Sequence, residues 1–280
     1  MLLFSGQYGG LRRFGPQLGA PERRSSEMQP SGIELSIIIP AYNEERRLPA
    51  ALDRIRDFLG SRADTTEVIV VDDGSTDQTQ KIVEQRQPDW PALRLVANGE
   101  NRGKGYSVRR GMLEARGRIA LFTDADLSAP IEESAKLLEA LESYDAAIGS
   151  RAVDRSVIEV HQSRLRELAG ILFNGLVRII LRISFEDTQC GFKAFRREKA
   201  RIVFLQQKIE GFGFDPEILF LCRKHGLRVA EVPVRWRHDP ATKVHVFRDS
   251  LRMFGDLVAI RWRWMCGAYA KESPGADTPQ

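Results

Sequence analysis

Apolar residues in the first half of the chain gather in short continuous runs. Leu35–Pro40, Glu67–Val71, Leu93–Ala97, Arg118–Thr123 and Ala146–Gly149 are such runs, rich in Ile and Val. Runs of this length without polar alternation predict strands buried on both faces. Between them, Arg47–Leu59, Thr76–Arg86, Tyr106–Ala115 and Ile131–Glu142 carry apolar residues at helical spacing. Strand–helix alternation of this kind predicts an α/β fold whose mostly parallel sheet is flanked by helices. The second half is less regular. It predicts an amphipathic helix from Ser163 to Leu181, a helix over Asp215–His225 and a strand over Arg228–Trp236. Its last segment, Phe247–Ala270, interleaves Arg261, Trp262, Arg263, Trp264 and Tyr269.

Composition narrows the class. With 280 residues and 42% hydrophobic content the chain can bury a full core. One domain over 35–270 accounts for the pattern, with halves at 35–150 and 151–270. Residues 1–34 and 271–280 lack periodicity and read as disordered extensions. The net charge of +4 is modest, and Lys and Arg are scattered along the elements. That suits phosphate or anionic lipid and predicts no nucleic-acid partner. Cys190, Cys222 and Cys266 stand far apart, without a histidine cluster, which argues against structural zinc or a disulfide framework and for a reducing compartment. No apolar run approaches the roughly 20 residues of a membrane span; the longest, Leu168 to Val177, stops at Arg178. The N-terminal residues lack the apolar core of a signal peptide.

Open α/β sheets bind ligands at the carboxyl ends of their strands. In this chain the strand ends are acidic. Asp124-Ala125-Asp126 follows the fourth run, and two carboxylates so placed can hold Mg²⁺ or Mn²⁺ against a diphosphate. The alternative is a solvated acidic turn or a helix cap. Asp72-Asp73-Gly74-Ser75-Thr76-Asp77 follows the second run. Its aspartates can accept hydrogen bonds from a ribose or base, while Ser75, Thr76 and Asp77 are all good helix caps. Asn101-Arg102-Gly103-Lys104-Gly105 is either a surface turn or a phosphate loop at a helix N-terminus, with Lys104 as its cation.

Taken together and in order, Ser36–Glu44, Val71–Asp77, Asn101–Gly105, Asp124–Asp126 and Gly149-Ser150-Arg151 resemble the family 2 glycosyltransferases of GT-A fold. Asp187–Phe195 (DTQCGFKAF), Gly211–Leu219 (GFGFDPEIL) and Ala230–Trp236 (AEVPVRW) are similar to the dolichyl-phosphate glucosyltransferase branch, kin of the mannose synthases. The resemblance spans about Leu35 to Ala268. It implies inverting transfer of a hexose, glucose before mannose, from a UDP-sugar to a polyprenyl phosphate. It implies that Pro40, Tyr42, Glu44, Asp72, Asp73 and Lys104 bind the donor, and that Asp124 and Asp126 bind Mg²⁺ or Mn²⁺, making Asp126 a catalytic residue. Ser128 stands where mannose synthases often carry Gln as a further metal contact. Arg151 and either Arg164 or Arg166 match positions that handle the acceptor phosphate.

Asp215 matches the general base of many inverting relatives, yet a phosphate nucleophile needs little deprotonation. It is therefore a base, a positioning group or a helix N-cap before Pro216. A polyprenyl acceptor also implies work at a membrane, with Leu168–Leu181 and Arg261–Tyr269 docking at the surface or else packing on the core. The location expected is the cytoplasmic face of a membrane, held peripherally. Two other functions compete: transfer to a saccharide hydroxyl or soluble acceptor, and a non-catalytic nucleotide-sugar-binding module.

Overall fold

The computed structural model describes residues 32–153, 158–160, 164–237 and 246–269. The extensions expected over 1–34 and 271–280 fall, apart from 32–34, outside them. The first half runs β1 (Leu35–Ala41), α1 (Leu48–Leu59), β2 (Thr66–Asp72), α2 (Thr79–Arg86), β3 (Leu93–Ala97), α3 (Lys104–Glu114), β4 (Ile119–Phe122), α4 (Ser134–Ala140) and β5 (Ala146–Ser150). The second half adds β6 (Ile158–Val160), α5 (Arg164–Leu181), β7 (Lys193–Arg196), α6 (Arg197–Gln206), α7 (Phe214–Lys224), β8 (Val229–Pro233), β9 (Trp236–Arg237) and α8 (Val246–Met265).

Seven strands form one sheet in the order β3-β2-β1-β4-β7-β5-β8. The continuous apolar runs have a direct explanation in its two faces. Ile38, Ile69, Val71 and Phe122 point into a core shared with α3, α6 and α7. Their neighbours Ile37, Ile39, Val68, Val70 and Leu121 point into a second core shared with α1 and α4. A strand buried on both faces favours apolar residues throughout, and the polar Ser36 and Glu67 near the strand starts are buried in a hydrogen bond to each other. This is the mostly parallel, helix-flanked sheet of the GT-A expectation.

Two expectations need correction, and one strand has no counterpart in the sequence reading. The helix expected over Ile131–Glu142 is a 3₁₀ turn at Ile131–Glu133 followed by the short α4, because Pro130 precedes it and fixes the entry. The strand expected over Arg228–Trp236 divides. β8 ends at Pro233 opposite Ser150, and Trp236–Arg237 pairs with β6 in a separate two-stranded sheet. The additional strand stands at the centre of the sheet. β7 lies between β4 and β5 and runs antiparallel to both. Its four residues, Lys-Ala-Phe-Arg, are too few and too mixed to announce a strand. Among the described residues no helix is long and apolar enough to cross a membrane.

Phe195 on β7 is fully buried. Its ring stacks on Phe122 at 6.3 Å and meets Phe204 edge-on at 5.3 Å. Phe195→Ala is expected to cost about 3–5 kcal/mol through the cavity it leaves. Equilibrium urea denaturation reads this as a lower midpoint at unchanged slope. A loss below about 1 kcal/mol would mean that β7 is not an integral strand of the core.

Candidate active site

The turn after β1 is made by Asn43, whose φ of 52° is left-handed. It is locked to the loop after β2. Asn43 N donates to Ser75 Oγ at 2.9 Å, Glu44 N to Thr79 Oγ1 at 2.8 Å, and Glu45 N to Asp77 Oδ2 at 3.1 Å. Ser75 and Thr76 therefore serve a loop-to-loop clamp and not a helix cap. α2 starts two residues beyond Asp77, after Gln78, whose side chain makes no cap bond.

The paired aspartates divide their work. Asp72 Oδ2 accepts from Ser75 N at 3.1 Å, while its buried Oδ1 has no partner among the described residues. Asp73 accepts from Arg102 N at 3.1 Å, Gly103 N at 2.8 Å and Asn98 Nδ2 at 2.8 Å. Those amides precede α3, so a carboxylate sits where a helix N-terminus favours an anion. Gly103 is required there: its φ is 109°, and a Cβ would lie 2.5 Å from the Glu210 carbonyl oxygen.

Helix α3 opens on Lys104, which delivers its ammonium to Asp124 Oδ1 at 2.5 Å. Asp124 and Asp126 follow β4, and Leu127 with φ 47° turns the chain away. Ser128 N donates to Asp126 Oδ1 at 2.9 Å. Arg47 holds Glu44 through two bonds of 2.6 and 2.5 Å and stands 3.9 Å from Asp126 Oδ2. Burial, then the neighbouring Asp124 charge, lifts the Asp126 pKa above its ordinary value. For Lys104, burial disfavours the charge, but Asp124, Asp215 and Asp126 outweigh it and raise the pKa. Asp124 and Asp126 thus stand close together, with an ammonium on one and a guanidinium near the other.

Pro40, Tyr42, Glu44, Asp73, Lys104, Asp124 and Asp126 line one cleft of about 380 Å³. Seven of the residues singled out from sequence thus converge, and Asp72 lies buried at the end of the adjacent strand. Asp215 does not cap α7. The helix begins at Phe214, and Asp215, in its first turn, accepts a 2.5 Å bond from the buried Lys193 ammonium. Lys193 also donates to the Cys190 carbonyl at 2.5 Å. Burial pushes the Asp215 pKa up, against the pull of Lys193 and Lys104.

Arg151 stands apart from the cleft lining. Its Nε and Nη2 bind Asp187 at 2.6 and 2.9 Å, and its guanidinium lies 5.2 Å from the Trp236 ring centre. Arg164 and Arg166 occupy the first turn of α5; their side chains lie outside the described residues. Sequence reasoning missed Arg47, Phe212, Lys193 and the role of Gly191. A signal existed for the last two in the DTQCGFK run, but only the position of β7 gives it meaning. A Cβ on Gly191 would stand 2.2 Å from Asp124 Oδ2.

The model of the family described as Glycosyl transferase family 2 matches residues 36–204. The chain belongs to glycosyltransferase family 2. This family 2 enzyme is 40% identical to a dolichyl-phosphate beta-glucosyltransferase of Drosophila melanogaster, over 88% of this chain and 79% of that protein. It is 37% identical to one of Dictyostelium discoideum, over 86% and 78%, and 35% identical to one of Homo sapiens, over 85% and 78%. Two solved structures share its fold. One is glucosyl-3-phosphoglycerate synthase of Mycobacterium tuberculosis in complex with Mn²⁺, UDP and phosphoglyceric acid (TM-score 0.58, 20% identity, 88% of this chain and 81% of that one). The other is mannosyl-3-phosphoglycerate synthase of Rubrobacter xylanophilus (TM-score 0.61, 21% identity, 88% and 79%).

The approach of Gly191 to Asp124 generates a prediction. A Cβ at position 191 would overlap the Asp124 carboxylate, so Gly191→Ala must push that carboxylate off its ion pair with Lys104. UDP binding in Mn²⁺, read by calorimetry, is expected to weaken at least about tenfold, the loss of a charged contact worth roughly 1.5 kcal/mol or more. The melting temperature should change little. Undiminished binding would mean that Asp124 takes no part in holding the nucleotide.

Proposed function

We propose that this enzyme transfers glucose, with inversion, from UDP-glucose to a polyprenyl monophosphate. The observation that carries the reading is the Lys193–Asp215 pair. Asp215, for which base, positioning and capping roles stood open, already accepts a buried ammonium at 2.5 Å through Oδ1, which favours a positioning role. A phosphate acceptor needs no such base. One oxygen of the dianionic monoester attacks the anomeric carbon as the bond from that carbon to the β-phosphate oxygen breaks. The lipid phosphate becomes a monoanionic diester and UDP departs with one more negative charge. No proton moves.

The donor set suits a hard divalent cation. Asp124 and Asp126 offer only carboxylate oxygens, and among the described residues no third metal-ligating side chain joins them. Mg²⁺ and Mn²⁺ are held in this way, through one or two carboxylates, substrate phosphates and water. Such an ion supplies neutralisation of the charge growing on the departing diphosphate. Lys104, already between Asp124 and the cleft, adds a second positive charge there. Ser128 N fixes the rotamer of Asp126, and Arg47 steadies Glu44 on the opposite wall. Tyr42 and Phe212 present half-exposed rings to the cleft, suited to stacking on a base or sugar.

The acceptor lipid places the enzyme at a membrane surface, and we assign it peripherally to the cytoplasmic face. Helices α5 and α8 pack on each other, and both expose apolar side chains: Leu176 and Ile179 on α5, Phe254, Val258, Trp262 and Met265 on α8. Basic and aromatic residues around such a stripe suit an interfacial helix. A second reading, transfer to a hydroxyl, draws on the raised Asp215 pKa, which would serve a general base.

Incubation with radiolabelled UDP-glucose, GDP-mannose or UDP-N-acetylglucosamine and a polyprenyl phosphate separates these readings. UDP-glucose should label a mild-acid-labile lipid. Chelator or Asp126→Asn should lower the rate about 10²–10³-fold, the scale of losing one electrostatic element of the transition state. Asp215→Asn should reduce turnover without adding an acidic limb to the pH profile. Label passing only to hydroxyl acceptors, with Asp215→Asn inactive, would overturn the phosphate reading.

Liposome flotation tests the surface assignment. The protein should bind vesicles containing anionic lipid, and high salt should release much of it, since screening weakens basic contacts at the headgroups. Trp262→Ala with Val258→Ala should weaken binding further. Equal partition to neutral and anionic vesicles, insensitive to both salt and the double substitution, would remove α8 from the interface.

A further inference from the structure

The segment between α6 and α7, residues 207–213, belongs to no helix or strand, yet Gln207, Ile209 and Gly213 on it are buried. Buried peptide groups outside regular structure must find partners elsewhere. Two neighbours supply them. On one side lies the first turn of α3. The Gln207 side-chain amide donates to the Gly105 carbonyl at 2.8 Å, and Tyr106 N donates to the Glu210 carbonyl at 3.1 Å. A Cβ on Gly105 would stand 2.6 Å from the Ile209 carbonyl oxygen, so loop and helix touch through their backbones. On the other side is Glu217, fully buried in the first turn of α7. Its carboxylate accepts from Lys208 N at 3.1 Å and from Ile209 N at 2.8 Å.

Glu217 is held in turn from α8 and the residues just beyond it. The Tyr269 hydroxyl donates to Glu217 Oε1 at 2.6 Å and is hydrogen-bonded to Arg263 as well. One phenol thereby bridges a carboxylate on α7 and a guanidinium on α8, an arrangement in which each bond strengthens the other. The Tyr269 ring is itself buried, 6.4 Å from the Trp264 ring centre. Helix α8 also abuts the loop directly, since a Cβ on Gly213 would overlap the Asp256 carboxylate. The loop is therefore gripped by α3, α7 and α8 together. It carries Phe212, which lines the donor cleft alongside Lys104.

We infer that Glu217 and Tyr269 are positioning residues for donor binding, which fix the Phe212 wall of the cleft against the Lys104 end of α3. The inference rests on the UDP-glucose reading of that cleft. Neither residue lines the cleft, so each acts only through the loop. A ring that stacks on a ligand binds it best when its place is set beforehand, because ordering a loose side chain on binding costs affinity. Loss of the brace therefore falls on the affinity for the donor. Turnover of the bound donor changes little.

The test uses the full chain with Mn²⁺, UDP-glucose and a soluble short-chain isoprenyl phosphate. Tyr269→Phe removes one hydroxyl and keeps the buried ring; Glu217→Gln keeps the shape and removes the charge. Each should raise the KM for UDP-glucose about fivefold, the scale of one lost hydrogen bond, and calorimetry should show UDP binding weakened by a similar factor. The kcat and the KM for isoprenyl phosphate should stay within about twofold, the pattern of lost ground-state binding. Phe212→Ala supplies a readout that a merely structural role would not move. In that background Tyr269→Phe should weaken UDP binding no further, because the wall it positions is gone. Unchanged UDP-glucose KM and UDP affinity in either folded variant, or losses that simply add in the double variant, overturn the inference. If Glu217→Gln does not fold, Tyr269→Phe decides alone. Should the parent enzyme bind neither UDP nor UDP-glucose, the donor assignment falls and this inference with it.

Discussion

The carboxylate of Asp124 has almost no room. Gly191 crosses over it so closely that a single methyl group would stand 2.2 Å from Oδ2, and Lys104 closes the other side at 2.5 Å. These neighbours arrive by different routes. Lys104 opens α3 in the first half of the chain; Gly191 precedes β7 in the second. β7 reaches Asp124 because it pairs with β4 in antiparallel register, Lys193 opposite Phe122. The same pairing brings the Lys193 ammonium to Asp215. One strand of four residues therefore joins the first half of the chain to the second, and the candidate site depends on that seam.

Charge in the site is balanced before any ligand arrives. Lys104 faces Asp124, Lys193 faces Asp215, and Arg47 faces Glu44. Buried charges are tolerable only when paired and hydrogen-bonded, and here the Lys104–Asp124 and Lys193–Asp215 pairs are made across elements, so folding itself sets their positions. Groups held in this way need little reorganisation when a ligand binds beside them. Acidic groups elsewhere do different work. Glu67, at the amino end of β2, accepts from Ser36, Arg94 and the Arg116 amide and staples the base of the sheet.

The loop between α6 and α7 is the second organising element. Glu217, fully buried, accepts from the Lys208 and Ile209 amides and from the Tyr269 hydroxyl at 2.6 Å. That ties the loop carrying Phe212 to the residues just beyond α8. Phe212 on this loop also lines the cleft.

The first-half strands, their order along the chain and the acidic strand ends could be read from sequence because each signal is local. Continuous Ile and Val runs mean burial on both faces, and polar residues after such runs lie on the binding rim of the sheet. Pro40, Tyr42, Glu44, Asp73, Lys104, Asp124 and Asp126 were legible for that reason, and they converge. The motif at Asp187–Phe195 was visible as a resemblance without a physical role. Only tertiary structure gave it one: Gly191 must lack a side chain because Asp124, far away in sequence, occupies that volume. Lys193 likewise reads as an ordinary surface lysine until β7 is placed at the centre of the sheet. The pairing of Arg151 with Asp187 likewise became visible only in the structure. Local pattern determines which segments are strands and which ends are polar. Which distant residue fills the space beside a given carboxylate is set by packing, which periodicity does not encode.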